Sequence, residues 1–369
     1  MAYGTTATRS PPPKAAARGG GASVELRSPV RGLRVYSDSG GDLESGHELV
    51  AAPPGGAEGA VMRRSLEANV VLSLAKAVVT VQSGSLAVLA SLIDSALDLV
   101  SQVVLVAAAA AARDSKNIEY PAGRARLEPV GVVVCAMLMG VSAAGVILAA
   151  SEELAAGASR VDVSLANGAT MAVAVLWKAA LYAWITRRHG DLVAAAPAVA
   201  AVAQDHYNDV LSNVVALLAA VLAAAPGGGY DAADPVGAIG ISVYIAYSWL
   251  ETGVEQVQHL VGRTADPDFL DELRTTASSF SDEMQCDVVR AYHFGPRYLV
   301  ELEMVMDQKT PLRVSHDLAL DLQQKVEAIP DVERAFVHVD YDFRDVDEHD
   351  PNSWSPRDRA KEQRRAALL

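Results

Sequence analysis

The chain has 369 residues, of which 51% are hydrophobic and 21% charged, and its mean hydropathy is +0.18. Most of the charge lies in residues 1–60 and 262–369, whereas residues 65–260 form a series of long apolar runs, and this division excludes a single ordinary soluble domain. The formal net charge of -14 disfavours nucleic acid as a partner and leaves a cation as a suitable ligand. The two cysteines, Cys135 and Cys286, are far apart in the sequence and offer neither a disulfide framework nor a cysteine metal cluster.

The N-terminal segment, residues 1–60, is rich in Ala, Gly, Pro and Ser and has no apolar periodicity. Such a composition buries too little apolar surface to offset the entropy of ordering, so we predict a disordered segment on the cytoplasmic side. The start of this segment does not contain the short apolar core that is typical of a cleaved signal peptide. The charged residues 346–369 form a second segment that is predicted to be disordered.

Residues 61–260 are predicted to form a multi-pass α-helical domain with six transmembrane helices. Each apolar run approaches or exceeds the roughly 20 residues needed to cross a hydrocarbon core about 30 Å thick. Prolines fall at the breaks between the runs. The predicted spans are 65–83, 86–112, 127–151, 164–186, 199–224 and 235–256.

Basic residues in the loops determine the predicted orientation. Arg63 and Arg64 precede the first span, and further arginines lie between the second and third spans and between the fourth and fifth. The opposite loops are mainly acidic. By the positive-inside rule both termini are cytoplasmic, which agrees with an even number of spans.

Residues 261–345 return to soluble character and are predicted to form a small α+β domain. Helical spacing of apolar residues alternates there with strand-like patterns in the order α-β-β-α-β. The predicted elements are 267–280, Val288–His293, Tyr298–Met306, Leu312–Ile329 and Ala335–Tyr341.

The second and fifth spans each carry two aspartates one helical turn apart. Asp94 and Asp98 are four residues apart in the second span, and Asp205 and Asp209 repeat this spacing in the fifth. Each pair therefore projects from one helix face. A carboxylate at membrane depth costs at least about 2.5–3.5 kcal/mol, so four of them require compensation. For a single aspartate, polar packing between helices is an equally good explanation.

Only two lysines lie within the spans to balance these carboxylates, Lys76 in the first and Lys178 in the fourth. Each stem is long enough to extend to an interface and keep its ammonium group in water, so we predict a mobile counter-charge. Where the two aspartate faces meet, they form an all-oxygen site for a hard divalent cation such as Mn²⁺, Mg²⁺ or Ca²⁺. Without metal the cluster shares protons, and metal entry expels them.

Three polar residues near the aspartates are expected to serve packing rather than ligation. His206 is offset from Asp205 by about 100° around the helix, so we expect it to face away from the aspartates and to form an interhelical or gate-side hydrogen bond. Asn69 in the first span and Asn213 in the fifth are expected to form hydrogen bonds between helices.

These residues resemble a known family. The run Ser83–Asp98 is similar to the second helix of the cation diffusion facilitators, and its DxxxD form resembles their manganese branch, which includes the plant metal tolerance proteins. Asp205–Asp209 resembles the DHxxD motif of that branch, with Asn208 at a position where an aromatic residue is expected. Other similar stretches are Tyr120–Gly131, Asp234–Gly237 and Glu333–Asp340.

The resemblance implies a six-helix antiporter, not an enzyme, with a C-terminal cytoplasmic ferredoxin-like domain, working as a homodimer in a lipid bilayer. It implies export of cytosolic Mn²⁺ in exchange for H⁺ by alternating access, with no cofactor and with Asp94, Asp98, Asp205 and Asp209 as the tetrahedral transport site. Because related zinc transporters bind metal in this domain, His316, His338 and Asp340 are candidate cytoplasmic ligands. A vacuolar or other endomembrane is the expected location, and the plasma membrane is also compatible.

Two alternatives stay open on the sequence. A zinc-selective member of the same family is compatible because carboxylates also bind Zn²⁺, although the loop over residues 187–197 has only His189 and lacks the His-rich composition of some zinc members. An intramembrane aspartyl protease also needs two membrane aspartates. The membrane aspartates here, however, lie in neither the Tyr-Asp nor the Gly-x-Gly-Asp context of those enzymes.

Overall fold

A computed structural model describes residues 55–83, 86–113, 119–157, 165–223 and 232–343. Within these residues the chain forms nine helices and three strands. They are α1 (Gly55–Ser83), α2 (Leu86–Ala112), α3 (Leu127–Ala155), α4 (Leu165–Arg188), α5 (Gly190–Ala195), α6 (Pro197–Ala223), α7 (Ala233–Leu260), α8 (Pro267–Ser278), β1 (Gln285–Phe294), β2 (Arg297–Val305), α9 (Leu312–Glu327) and β3 (Val332–Asp340).

The six long helices α1, α2, α3, α4, α6 and α7 correspond to the six predicted spans, with ends displaced by four residues or fewer except at the start of α1. That helix begins at Gly55, inside the segment predicted to be disordered. The rest of that segment and the predicted tail over 346–369 lie outside the described residues. Residues 187–197 are expected as a loop, but they contain the short helix α5. Asp191 lies in the first turn of α5, where its negative charge interacts favourably with the helix N-terminus.

Two helices of the described residues, Leu92–Ala112 and Leu127–Ala155, are long and apolar enough to cross a membrane by length and composition alone. The other long helices carry more polar residues. Large apolar side chains are nevertheless exposed on these helices, among them Leu74 in α1, Leu176 in α4 and Leu250 in α7. A bilayer covers an apolar surface of this kind.

Close contacts between small residues hold the helices together. α3 packs along α7, α2 along α1 and α3, and α6 between α4 and α7. Gly131 of α3 lies directly against Ala108 of α2, which lets the two backbones approach closely. An apolar core closes the end of the bundle nearest the soluble domain, and its members include Leu105, Val132, Cys135, Ile185, Val199 and Trp249.

The soluble domain has the predicted element order. β2 is the central strand and pairs antiparallel with β1 and parallel with β3. α9 connects β2 to β3, and the two helices α8 and α9 pack on the sheet and on each other. Leu273, Leu302, Met304, Leu322 and Val326 form the centre of its core.

The soluble domain joins the bundle at the end of α7. His259 in the last turn of α7 stacks on His293 of β1 with ring centroids 3.9 Å apart. Gly295 forms the turn after β1 with a φ of 75°, and a Cβ there would approach the backbone of Arg126 to 3.4 Å. The Arg126 guanidinium lies 3.7 Å above the centroid of the Phe294 ring. The turn therefore packs directly against the start of α3.

Candidate metal centre

α2 and α6 direct their aspartates towards one cavity of about 560 Å³. Asp94, Asp98 and Asp209 line this cavity. Asp205, one turn earlier in α6, is only 1% exposed and lies deeper, on the side of the apolar core. The four-residue spacing accounts for this arrangement, because it places each pair on one face of its helix. Three predicted ligands thus face the cavity and the fourth lies behind them.

A lysine from a third helix joins the aspartates. Lys178 of α4 is 3% exposed, and its Nζ donates hydrogen bonds to Oδ2 of Asp98 at 3.1 Å and to Oδ2 of Asp209 at 2.5 Å. Of the two positions that the sequence leaves open for Lys178, the structure shows the pairing with the aspartates and not the extension to an interface. Lys178 lies ten residues before the end of α4, about 15 Å along the helix axis, which is farther than its side chain extends.

Lys76 of α1 is also buried, and its Nζ donates a hydrogen bond to Ser95 Oγ at 2.7 Å. The alternative that its side chain extends to an interface is therefore wrong as well. Lys76 lines the same cavity as Asp94 and Asp98. With both lysines and all four aspartates charged, the site has an excess of two negative charges, the amount that one divalent cation neutralises.

Both carboxylate oxygens of Asp205 are buried and have no hydrogen-bond partner among the described residues. A carboxylate in such surroundings is costly unless it binds a proton or a cation. The donor set here, with carboxylates from α2 and α6, fits a divalent cation as a substrate.

His206 connects this cluster to α1. Its Nε2 and Ser65 Oγ form a hydrogen bond of 2.7 Å, so the interhelical bond expected for His206 is present. The histidine does not face away from the aspartates, however. One ligand atom each of Asp205, His206 and Asp209 lie within 4.8 Å of one another. The 100° offset separates the Cβ directions, whereas the longer imidazole and carboxylate groups converge.

The two asparagines do not bridge helices in the described structure. Asn213 Nδ2 donates to the backbone carbonyl of Asp209 at 2.7 Å, within α6 itself, because a short amide side chain readily reaches the carbonyl four residues earlier. The Asn69 side chain is buried, and neither its nitrogen nor its oxygen has a hydrogen-bond partner among the described residues. The prediction that Asn69 and Asn213 form hydrogen bonds between helices is therefore wrong for the described residues.

The cavity leads away from the soluble domain. Its lining includes Glu153 near the end of α3 and Asp234 near the start of α7, both at the end of the bundle opposite the soluble domain. The apolar core around Leu105 and Trp249 closes the other end. Among the described residues, the cavity at the aspartate site thus extends towards one end of the bundle, and the apolar core lies towards the other.

The candidate ligands of the soluble domain lie on two separate elements. His316 is exposed on α9, with its Nδ1 3.2 Å from Asp317 Oδ1. His338 and Asp340 lie two residues apart on β3. Among the described residues, a group of three ligand atoms within 4.8 Å of one another is formed by Asp205, His206 and Asp209, and His316 forms no such group with the two β3 residues. Metal binding in this domain stays a prediction.

Comparison with known proteins gives matches along both domains. Residues 62–261 match a family model described as the cation efflux transmembrane domain, and residues 265–342 match one described as the cation efflux protein, cytoplasmic domain. Metal tolerance protein 5 of Oryza sativa subsp. japonica is 36% identical over 293 residues, which are 78% of this chain and 68% of the relative. Metal tolerance protein 7 of the same plant is 37% identical over 287 residues (76% and 71%), and metal tolerance protein 11 of Arabidopsis thaliana 34% over 296 residues (78% and 72%).

Proposed function

The chain belongs to the cation efflux family and is an integral membrane protein that transports divalent metal cations, and on this premise we propose that it exports Mn²⁺ from the cytosol in exchange for H⁺. The observation that carries the proposal is the convergence of carboxylates from α2 and α6 on one cavity. Members of this family are transporters, which leaves the protease alternative without support.

Asp94, Asp98, Asp205 and Asp209 are the proposed ligands. Their oxygen atoms form the kind of donor set that Mn²⁺ prefers over softer metal ions. The buried carboxylate of Asp205 and the excess of two negative charges support a single divalent cation as the substrate. A carboxylate cluster at membrane depth also retains protons when the metal is absent, and the entering cation displaces them.

The cavity supports alternating access as the transport mechanism. With the soluble domain in the cytosol, as the positive-inside rule predicts, the end towards which the cavity extends faces the lumen of an endomembrane compartment such as the vacuole. Metal leaves the site in this direction. Loading from the cytosol requires the apolar core around Trp249 to separate. The cytoplasmic domain belongs to a family found in cation efflux proteins, and we propose that it joins two copies of the chain as a homodimer.

Transport by the purified protein in proteoliposomes tests this function. The vesicles enclose a pH-sensitive dye, and Mn²⁺, Zn²⁺ or Mg²⁺ is added outside. We expect Mn²⁺ to make the interior alkaline, because H⁺ leaves as Mn²⁺ enters. Asp209→Asn removes this response, whereas the control Asp191→Asn, at an exposed position in α5, retains it. Full activity of Asp209→Asn overturns the proposed site, and metal uptake without a pH change overturns the exchange with H⁺.

Zinc transport is the second candidate, and the position of His206 supports it. A ring nitrogen of His206 lies beside Asp205 and Asp209, and imidazole is a preferred ligand of Zn²⁺. The variant Asp94→His adds a further nitrogen ligand and shifts the preference towards Zn²⁺ if the carboxylates select Mn²⁺. An unchanged ratio of Mn²⁺ to Zn²⁺ transport contradicts selection by the oxygen ligands. A larger pH response of the unmodified protein to Zn²⁺ identifies zinc as the substrate.

A further inference from the structure

A cation that belongs to the protein lies between two of the proposed ligands. Lys178 Nζ is 3.1 Å from Oδ2 of Asp98 and 2.5 Å from Oδ2 of Asp209. These carboxylates come from α2 and α6, the two helices that supply all the proposed ligands. The lysine therefore holds oxygen atoms that a divalent cation needs.

The lysine and a metal ion exclude each other at this position. If one carboxylate oxygen bound both, two cations would lie within a few ångströms of each other, and like charges at that distance repel strongly in a poorly solvated interior. Binding of a metal ion to the same oxygens, Oδ2 of Asp98 and Oδ2 of Asp209, thus requires the ammonium group to leave. The lysine itself lines the cavity of about 560 Å³, which offers the space for this movement.

Resting on the proposed function, we propose that Lys178 is a tethered cation that takes the place of the metal ion between transport events. In the absence of metal its ammonium group pairs with Asp98 and Asp209 and reduces the cost of burying them. An incoming divalent cation displaces the ammonium group, and its return helps to release the ion. The exchange is a movement of the side chain and needs no change in its charge.

This competition also selects between cations. A monovalent ion such as Na⁺ has no electrostatic advantage over the ammonium group that it must displace, because the two charges are equal. A divalent ion does have that advantage. Lys178 thereby sets the affinity for the substrate and favours divalent over monovalent cations.

Binding of Mn²⁺ to the full-length protein in detergent, followed by electron paramagnetic resonance of the unbound ion, tests the proposal. Lys178→Met removes the charge and retains most of the stem, whereas Lys178→Arg retains the charge. We expect Lys178→Met to bind Mn²⁺ about tenfold tighter or more, since no tethered cation competes. Lys178→Arg binds no tighter than the unmodified protein. In transport, Lys178→Met lowers both KM and the maximal rate, because release becomes slow. Unchanged or weaker Mn²⁺ binding by Lys178→Met overturns the proposal.

Amine modification of the unmodified protein gives a second test that does not depend on the folding of a variant. A small acetylating reagent is applied with and without Mn²⁺, and the modified lysines are identified by mass spectrometry. We expect Mn²⁺ to increase acetylation of Lys178, and Na⁺ at equal ionic strength to have no effect. Equal acetylation with and without bound Mn²⁺ overturns the displacement.

The same binding measurement separates this inference from the proposed function. Asp209→Asn that binds Mn²⁺ as tightly as the unmodified protein contradicts the transport site itself. Weak binding by Asp209→Asn together with no gain in Lys178→Met overturns only the role of Lys178.

Discussion

The backbone N–H of Ala198 donates a hydrogen bond of 2.9 Å to Oε1 of Glu128, which joins the first turn of α6 to the first turn of α3. Ala196 precedes α6 and has no side-chain oxygen with which to cap the helix. Glu128 supplies the missing acceptor from the neighbouring helix, in the role that Ser, Thr, Asp or Asn normally has at an N-cap. This contact lies at the closed end of the bundle and fixes α6, which carries Asp205 and Asp209, against α3.

Glu128→Ala tests the contribution of this contact to stability. The variant leaves the amide of Ala198 without its acceptor, and we expect a loss of about 1 kcal/mol, as for other helix caps. Glu128→Gln retains an oxygen acceptor and loses less. Thermal unfolding of the detergent-solubilised protein measures both variants, and equal melting temperatures for the Ala and Gln variants contradict the capping role.

Gly131 is required for the close contact of α3 with α2. A Cβ at this position would lie 2.4 Å from the Cβ of Ala108, so Gly131→Ala forces the helices apart and costs about 1–3 kcal/mol. Thermal unfolding measures the loss. Gly140→Ala in the same helix is the control, because nothing lies within 4 Å of the added Cβ. Adding Ala108→Gly to Gly131→Ala restores space, and failure of this pair to recover stability contradicts the steric explanation.

The fold follows from the sequence wherever one strong pattern decides the structure. Long apolar runs between prolines give the six long helices, and the alternation around Gly295 gives β1 and β2. The sequence pattern does not reveal the start of α1, because the first turns of this helix are rich in Gly, Ala and charged residues. Their helical structure depends on tertiary contacts, such as the ion pair of Glu58 with Arg113 at 3.5 Å, which a local pattern does not contain.

The site is harder to predict because its polar partners come from different helices. The spacing of the aspartates indicates which faces carry carboxylates, but the pairing of Lys178 with Asp98 and Asp209 depends on where α4 packs. The distance of Lys178 from both ends of its predicted span is the sequence feature that indicates a buried lysine. The Asn213 side chain donates its hydrogen bond to the backbone of its own helix and not to a neighbouring helix. The sequence spacing does not decide between these two kinds of acceptor.

His293 makes the stability of the joint between the domains dependent on pH. Burial lowers the pKa of His293 in the folded protein, so the unfolded chain binds this proton more readily. Stability is therefore lost as the pH falls below the usual histidine value of about 6.5. His293→Phe retains a ring for stacking on His259 and has no proton to bind.

We expect the melting temperature of His293→Phe to fall less than that of the unmodified protein between about pH 7.5 and 5.5, the range in which an ordinary histidine titrates. His316→Phe, at an exposed position on α9, is the control and keeps the original slope. Equal slopes for His293→Phe and the unmodified protein contradict this origin of the pH dependence. Asp266 and Arg263 also lie near His293 and act on its proton in opposite directions, and both are unchanged in the variant.

Cys135 reports whether the closed end of the bundle opens. Its side chain is 0% exposed and lies in the apolar core that separates Asp205 from the soluble domain. In a Cys286→Ser background it is the one remaining cysteine, so labelling by N-ethylmaleimide follows this position alone. Loading of metal from the side of the soluble domain requires the core to separate, and a buried thiol then meets the reagent.

We therefore expect slow labelling of Cys135 without metal and a several-fold faster rate with Mn²⁺, measured by mass spectrometry of the reconstituted protein. Asp209→Asn in the same background removes the acceleration, because the ion no longer binds at the site. The variant lacking both cysteines controls for reaction with amines. A labelling rate that Mn²⁺ leaves unchanged contradicts opening of the core around Cys135, and with it the path proposed for loading of the aspartate site.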